Sequence, residues 1–151
     1  MTAAATTAAT AAERLRAAVD ARDLAALDDL FTDDIRFYSP VKFGPFEGKP
    51  MVLGLFGVLL RTFEDFRYVG AYEGAAQTSA DGTEAPSAVL LFRAVVGGKE
   101  IHGIDLVHVD EQGRIKEFTV MVRPQSAVQA LGQAVFAGLI AAGLVPAPPT
   151  A

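Results

Sequence analysis

The chain reads as an α+β domain, with helices gathered on one face of a curved and mostly antiparallel sheet. Apart from one strand at 35–39, apolar residues recur at helical spacing up to Phe63, alternate in strand fashion from Phe66 to Val122, and return to helical spacing after Pro124. Tight-turn residues at Gly97-Gly98 and Glu111-Gln112-Gly113 join the later strands into a meander. At 151 residues, 51% apolar and 21% charged, the chain has the size and composition to build one core. The order helix-helix-strand-helix followed by an antiparallel meander points to α+β, with helices on one face of a curved sheet.

Leu15, Ala18 and Val19 give a first helix over about 11–22. Asp23 is a good N-cap for a second helix carrying Leu24, Leu27, Leu30 and Phe31. Ile35 to Ser39 alternates as a strand stopped by Pro40, and residues 43–48 form a Gly/Pro loop. Pro50 suits the first turn of a third helix over about 49–63, apolar nearly all round. Strands follow over 66–74, 88–96, 99–109 and 114–122, with an exposed connection at 78–86. Pro124 opens a last helix reaching about Ala142.

The domain is expected over residues 12–142, between a disordered Thr/Ala-rich arm at 1–11 and a flexible Pro/Ala tail at 143–151. The arm lacks the basic and long aliphatic regions of a signal peptide. Nothing after Arg123 carries a charge, but Gln129, Gln133 and three glycines dilute the run, and 146–149 is Pro-rich. An amphipathic helix packed on the domain fits better than a membrane span of about 20 apolar residues. A net charge of −5 without a basic stripe argues against nucleic acid. The absence of cysteine excludes disulfides and thiolate chemistry and fits a cytoplasmic location.

One residue breaks the pattern. In the strand Ile101-His102-Gly103-Ile104-Asp105-Leu106-Val107-His108-Val109, alternation puts Asp105 on a face otherwise made of Ile101, Gly103, Val107 and Val109. A carboxylate on an apolar surface is costly unless paired, hydrogen-bonded or protonated. Asp105 is therefore the candidate catalytic group, and a structural carboxylate bonded to an Arg or to backbone amides is the alternative. His102 and His108 share the opposite face about 20 Å apart, too far to chelate one ion, and are expected at the surface or an interface. No metal or cofactor motif is present. Tyr38 alternates outward from Phe37 and Ser39. Ile104 and Leu106 make the outer sheet face apolar as well, which predicts a homodimer through that face.

The run Ala21-Arg22-Asp23-Leu24…Leu30-Phe31-Thr32-Asp33-Asp34-Ile35-Arg36-Phe37-Tyr38-Ser39-Pro40-Val41 carries a resemblance, together with Phe46-Glu47-Gly48-Lys49, Gly103 to Leu106 and Gly113-Arg114-Ile115. Over roughly 12–140 the chain resembles the nuclear-transport-factor-2-like superfamily, and within it the SnoaL-like branch that includes polyketide cyclases. The resemblance implies a cone-shaped α+β barrel whose sheet wraps around helices and an apolar central cavity. It aims Leu15, Phe37, Ser39 and Phe56 into that cavity, with Phe92, Phe118 and Val120 beside them. Ile35, Leu55, Ala88, Leu90 and Val122 would complete the wall.

Set against the ketosteroid isomerase branch, the oxyanion tyrosine falls at Leu15, the base at Ser39 and the oxyanion acid at Asp105. A serine cannot replace a carboxylate that takes a proton near pH 7, so steroid-type isomerisation is disfavoured. Epoxide hydrolysis of the limonene type is disfavoured too, because Gly103 stands where an Arg is needed and the final strand has no inward carboxylate. The resemblance to the SnoaL-type cyclases, which need chiefly one acid/base Asp on the sheet, implies instead a protein that binds a small hydrophobic, ring-bearing or polyketide-like molecule, with cofactor-free cyclase or isomerase chemistry through Asp105. A non-catalytic ligand-binding or dimerisation module is the alternative.

Overall fold

The computed structural model describes residues 3–148, with side chains from Thr7 onward. Four helices, α1 (Ala3–Ala21), α2 (Leu24–Leu30), α3 (Lys49–Thr62) and α4 (Gln125–Ala141), accompany six strands. The strands are β1 (Phe31–Tyr38), β2 (Phe46–Glu47), β3 (Glu64–Gln77), β4 (Glu84–Val96), β5 (Lys99–Val109) and β6 (Ile115–Arg123). They form one open sheet in the order β2-β1-β6-β5-β4-β3, antiparallel except for the β1–β6 pair. Register shifts in β1, twice in β3 and near the end of β5 bend the sheet, as bulges do, so that it curls around the helices.

Several boundaries move for identifiable reasons. The first helix begins at Ala3, so most of the expected arm is helical; Ala8 and Ala11 are fully buried and anchor it to the core. Residues 1–2 lie outside the described residues. Asp23 caps α2 by accepting the Ala26 amide at 3.1 Å, but Phe31 leaves the helix with extended backbone and starts β1. Its ring is buried against Phe56 and Phe118 at centroid distances of 5.3 and 6.4 Å, and tertiary packing overrides the helical spacing. The 43–48 loop contains a two-residue strand whose Phe46 pairs with Phe37. β4 runs back through Pro86 because its pairing with β5 begins only at Ser87, so the missing N–H interrupts no ladder there.

The tail is docked as far as it is described. Gly143, at φ +74°, ends α4, with its amide on the Ile140 carbonyl and the Leu144 amide on the Leu139 carbonyl. Leu144 and Val145 then pack on the core, and Leu144 fills the space a side chain at Gly54 would take. No helix among the described residues is long and apolar enough to cross a membrane.

The outer face of the sheet is apolar where β4, β5 and β6 meet. Leu91, Ile104 and Met121 form one cross-strand row, and Met121 is half exposed. His108 departs from expectation: it is buried, not at the surface. The turn after β3 folds over it, so that His108 Nε2 lies 3.1 Å from the Gln77 carbonyl. The buried Glu117 carboxylate beside it accepts the Ser79 and Ala80 amides at 2.7 and 3.0 Å, fastening that turn to the sheet. His108 Nδ1 stands 3.6 Å from Glu117, beyond hydrogen-bond length, and burial holds the imidazole below its ordinary range. The two are a neutral ring beside a carboxylate rather than an ion pair.

Candidate functional site

Between the concave face of the sheet and α3 and α4 lies a cavity of about 500 Å³, within the size range of small-molecule sites. Its wall is aromatic. Phe37 stacks on Phe118 at 5.2 Å, Phe56 meets both rings edge-on, and Phe66 stacks on Phe92 at 4.9 Å. β1 and β6 run parallel with Phe37 paired to Phe118, and this register brings the two rings together.

Asp105 projects into this lining from β5, opposite Leu90 on one side and Val120 on the other. It is only 5% exposed, and among the described residues one hydrogen bond answers its charge: that of the Tyr68 hydroxyl, 2.7 Å from Oδ2. Burial pushes the carboxyl up from its ordinary 3.8 to about 7, and the Tyr68 hydrogen bond opposes that rise. Tyr68 is itself held well above the usual phenol range by its own burial and the facing carboxylate. The phenol therefore keeps its proton and donates it, while the Asp105 carboxyl is poised near neutrality in a largely apolar cavity.

The backbone explains the placement. Tyr68 pairs with Phe92, and Phe92 pairs with Gly103, two residues before Asp105. A Cβ at Gly103 would stand 2.4 Å from Phe92 Cζ and 2.8 Å from the Met121 carbonyl oxygen. The missing side chain thus lets the Phe92 ring lie over β5, next to the row that holds Asp105.

Phe37, Ser39, Phe56, Phe92, Phe118 and Val120 line the same cavity as Asp105, and so does Leu55. Leu15 does not. It is fully buried in the core, and α1 meets the cavity one turn later through Val19 and Asp20. Ile35, Ala88 and Leu90 are likewise core residues outside the lining, as is the partly buried Val122. Ser39 Oγ accepts the Val41 and Lys42 amides, both at 3.3 Å. The residue sequence reasoning missed is Tyr68. Its signal was Phe66 and Tyr68 sharing one face of β3, but no partner 37 residues away could be named from that alternation. Among the described residues no cluster of three or more His, Cys, Asp or Glu side chains is arranged to hold a metal ion.

Removing the tyrosine hydroxyl tests the pair. Tyr68→Phe is expected to raise the Asp105 pKa above 7, because the lost hydrogen bond favours the carboxylate. The variant should lose about 1–3 kcal/mol at pH 8, where the carboxylate is left with one partner fewer. Chemical denaturation at pH 5 and pH 8 reads both effects, and a loss no larger at pH 8 than at pH 5 would count against the pair.

The sequence matches the SnoaL-like domain family over residues 12–118. No curated protein matches it. Among solved structures, a steroid delta-isomerase from Pseudomonas aeruginosa is 37% identical, with a TM-score of 0.77 over 92% of this chain and 96% of that one. An uncharacterized bacterial protein with a cystatin-like fold from Silicibacter pomeroyi is 27% identical, with a TM-score of 0.75 over 86% and 85% of the two chains. An NTF2-like protein of unknown function from Cytophaga hutchinsonii shares the fold at 17% identity, TM-score 0.53, over 77% and 89%. With the family match spanning most of the chain, this protein belongs to the SnoaL-like domain family, and its cone of helices and bent sheet is the fold it shares with the NTF2-like protein.

Proposed function

We propose that the cavity binds a small, hydrophobic, ring-bearing or polyketide-like carbonyl compound and that Asp105 moves a proton on it without a cofactor, in the manner of a cyclase or isomerase. The observation that carries this reading is the Asp105–Tyr68 pair buried in a largely apolar, aromatic-walled cavity of about 500 Å³. A carboxyl with a pKa of about 7 is present in both forms at neutral pH. As carboxylate it takes a proton from the carbon beside the carbonyl; as acid it returns that proton elsewhere on the enolate. Tyr68 acts as a positioning residue, holding the carboxyl in place. Similarity to a steroid delta-isomerase supports a ring-bearing carbonyl ligand.

A second reading has its own support. Residue 39 is a serine occupied with its own turn, so no second carboxylate stands there. This favours a non-catalytic binder that keeps the cavity and lacks the chemistry. Deuterium exchange beside the carbonyl of 2-tetralone, followed by NMR, separates the two. Catalysed exchange that falls about 100-fold in Asp105→Asn supports the enzyme. Binding of 2-tetralone without catalysed exchange leaves the binder.

We further propose that the protein is cytoplasmic and pairs with a second copy through the outer sheet face around Ile104, Leu106 and Met121. That apolar surface supports the pairing, and the absence of cysteine fits the location. Sedimentation of wild type as a dimer and of Leu106→Lys as a monomer is the expected result; a monomeric wild type would overturn the pairing.

A further inference from the structure

The lip of the cavity carries two donors that the reaction above does not use. The loop between β1 and β2 turns at Ser39, whose oxygen accepts two amides and whose hydroxyl proton remains available to donate. The same turn brings Lys42 and Phe46 into the lining, with Lys42 Nζ 4.1 Å from the centre of the Phe46 ring. Among the described residues Lys42 has no carboxylate partner. The other cation of the lining, Arg22, donates to the Leu60 carbonyl. Apart from Asp105, the lining carboxylates are Asp20 on α1 and Asp65 at the start of β3, and Asp65 is paired with Arg67 at 2.9 Å.

The turn is also seated. Val41 Cγ1 lies 2.7 Å from where a side chain at Gly132 would begin, so this part of the loop rests against α4. A hydroxyl and an ammonium, three residues apart on a docked turn and both without a hydrogen-bond acceptor among the described residues, complement an anionic oxygen group.

We propose that Ser39 and Lys42 form a second recognition subsite, and that the ligand is an amphipathic acid whose ring body fills the cavity while a carboxylate rests at this lip. The inference builds on the cavity being a ligand site. It gives the ligand two polar ends, a carbonyl or hydroxyl at Asp105 and an anion at Lys42. The net charge of −5 opposes an anionic ligand at long range, so a measured preference for one has to come from a local contact.

The probes are 2-naphthol and 6-hydroxy-2-naphthoate, which share a ring system and differ by a carboxylate. Binding is read by fluorescence at pH 6 with wild type, Lys42→Gln and Lys99→Gln; the last removes one charge at the distant β4–β5 turn. The expected result is naphthoate binding about fivefold tighter than naphthol to wild type and Lys99→Gln, as an exposed ion pair allows. That advantage, read as the ratio of the two affinities, should vanish in Lys42→Gln. Equal or weaker naphthoate binding by wild type, or an advantage that survives Lys42→Gln, overturns the subsite while leaving the cavity reading intact. A wild type that binds neither probe overturns both.

Discussion

Asp105→Asn is expected to be more stable than wild type above neutral pH, by up to about 4 kcal/mol, and close to wild type at pH 4. The folded protein holds the Asp105 proton to a pKa of about 7, whereas the ordinary value is 3.8. Between those values the folded state binds more protons than the unfolded chain, so this group lowers stability as pH rises through the window. Above pH 7 the loss is complete, and the interval between the two values converts to the figure given. An asparagine carries no charge and escapes the loss while still accepting from Tyr68. Urea denaturation of both proteins from pH 4 to pH 8 measures the difference. A difference that stays constant across the range would show that Asp105 titrates normally.

Phe118→Ala is expected to cost about 3–5 kcal/mol, the range for removing a buried aromatic side chain. Phe118 is 1% exposed and touches the rings of Phe31, Phe37 and Phe56, so it belongs to the core and the cavity wall together. Its removal also widens the cavity, and the surviving fold should admit bulkier ring systems than wild type. Denaturation midpoints give the first effect and competition between ligands of different width the second. A loss below about 1 kcal/mol would mean that the wall collapses to fill the gap.

The parts of this architecture that depend on local pattern were legible in the chain. Strict alternation along β5 placed Asp105 on the inner face beside Val107 and opposite the two histidines, and the Gly97-Gly98 turn set its register with β4. What depended on distant packing was not legible. The bulges in β3 break its alternation on both sides of Tyr68, so the phenol's reach to Asp105 cannot be read from spacing. His108 is buried by a turn from another hairpin, and the clue was Glu117, a carboxylate that the sequence presents as an ordinary strand charge. Leu15 has the right residue type for a cavity wall, but the cavity meets α1 one turn further along. The start of α1 before Ala11 escaped notice because an alanine-rich run gives little hydrophobic contrast between helix faces.

The central claim is that Asp105 is a carboxyl poised near neutrality inside a ligand cavity. The most direct test is an NMR titration of its side-chain carbon in protein labelled at the aspartate carboxyls, with Asp105→Asn to assign the signal. The structure leads us to expect a transition near pH 7 in the free protein, displaced when 2-naphthol is bound. A transition near pH 4 that ignores the ligand would contradict the account.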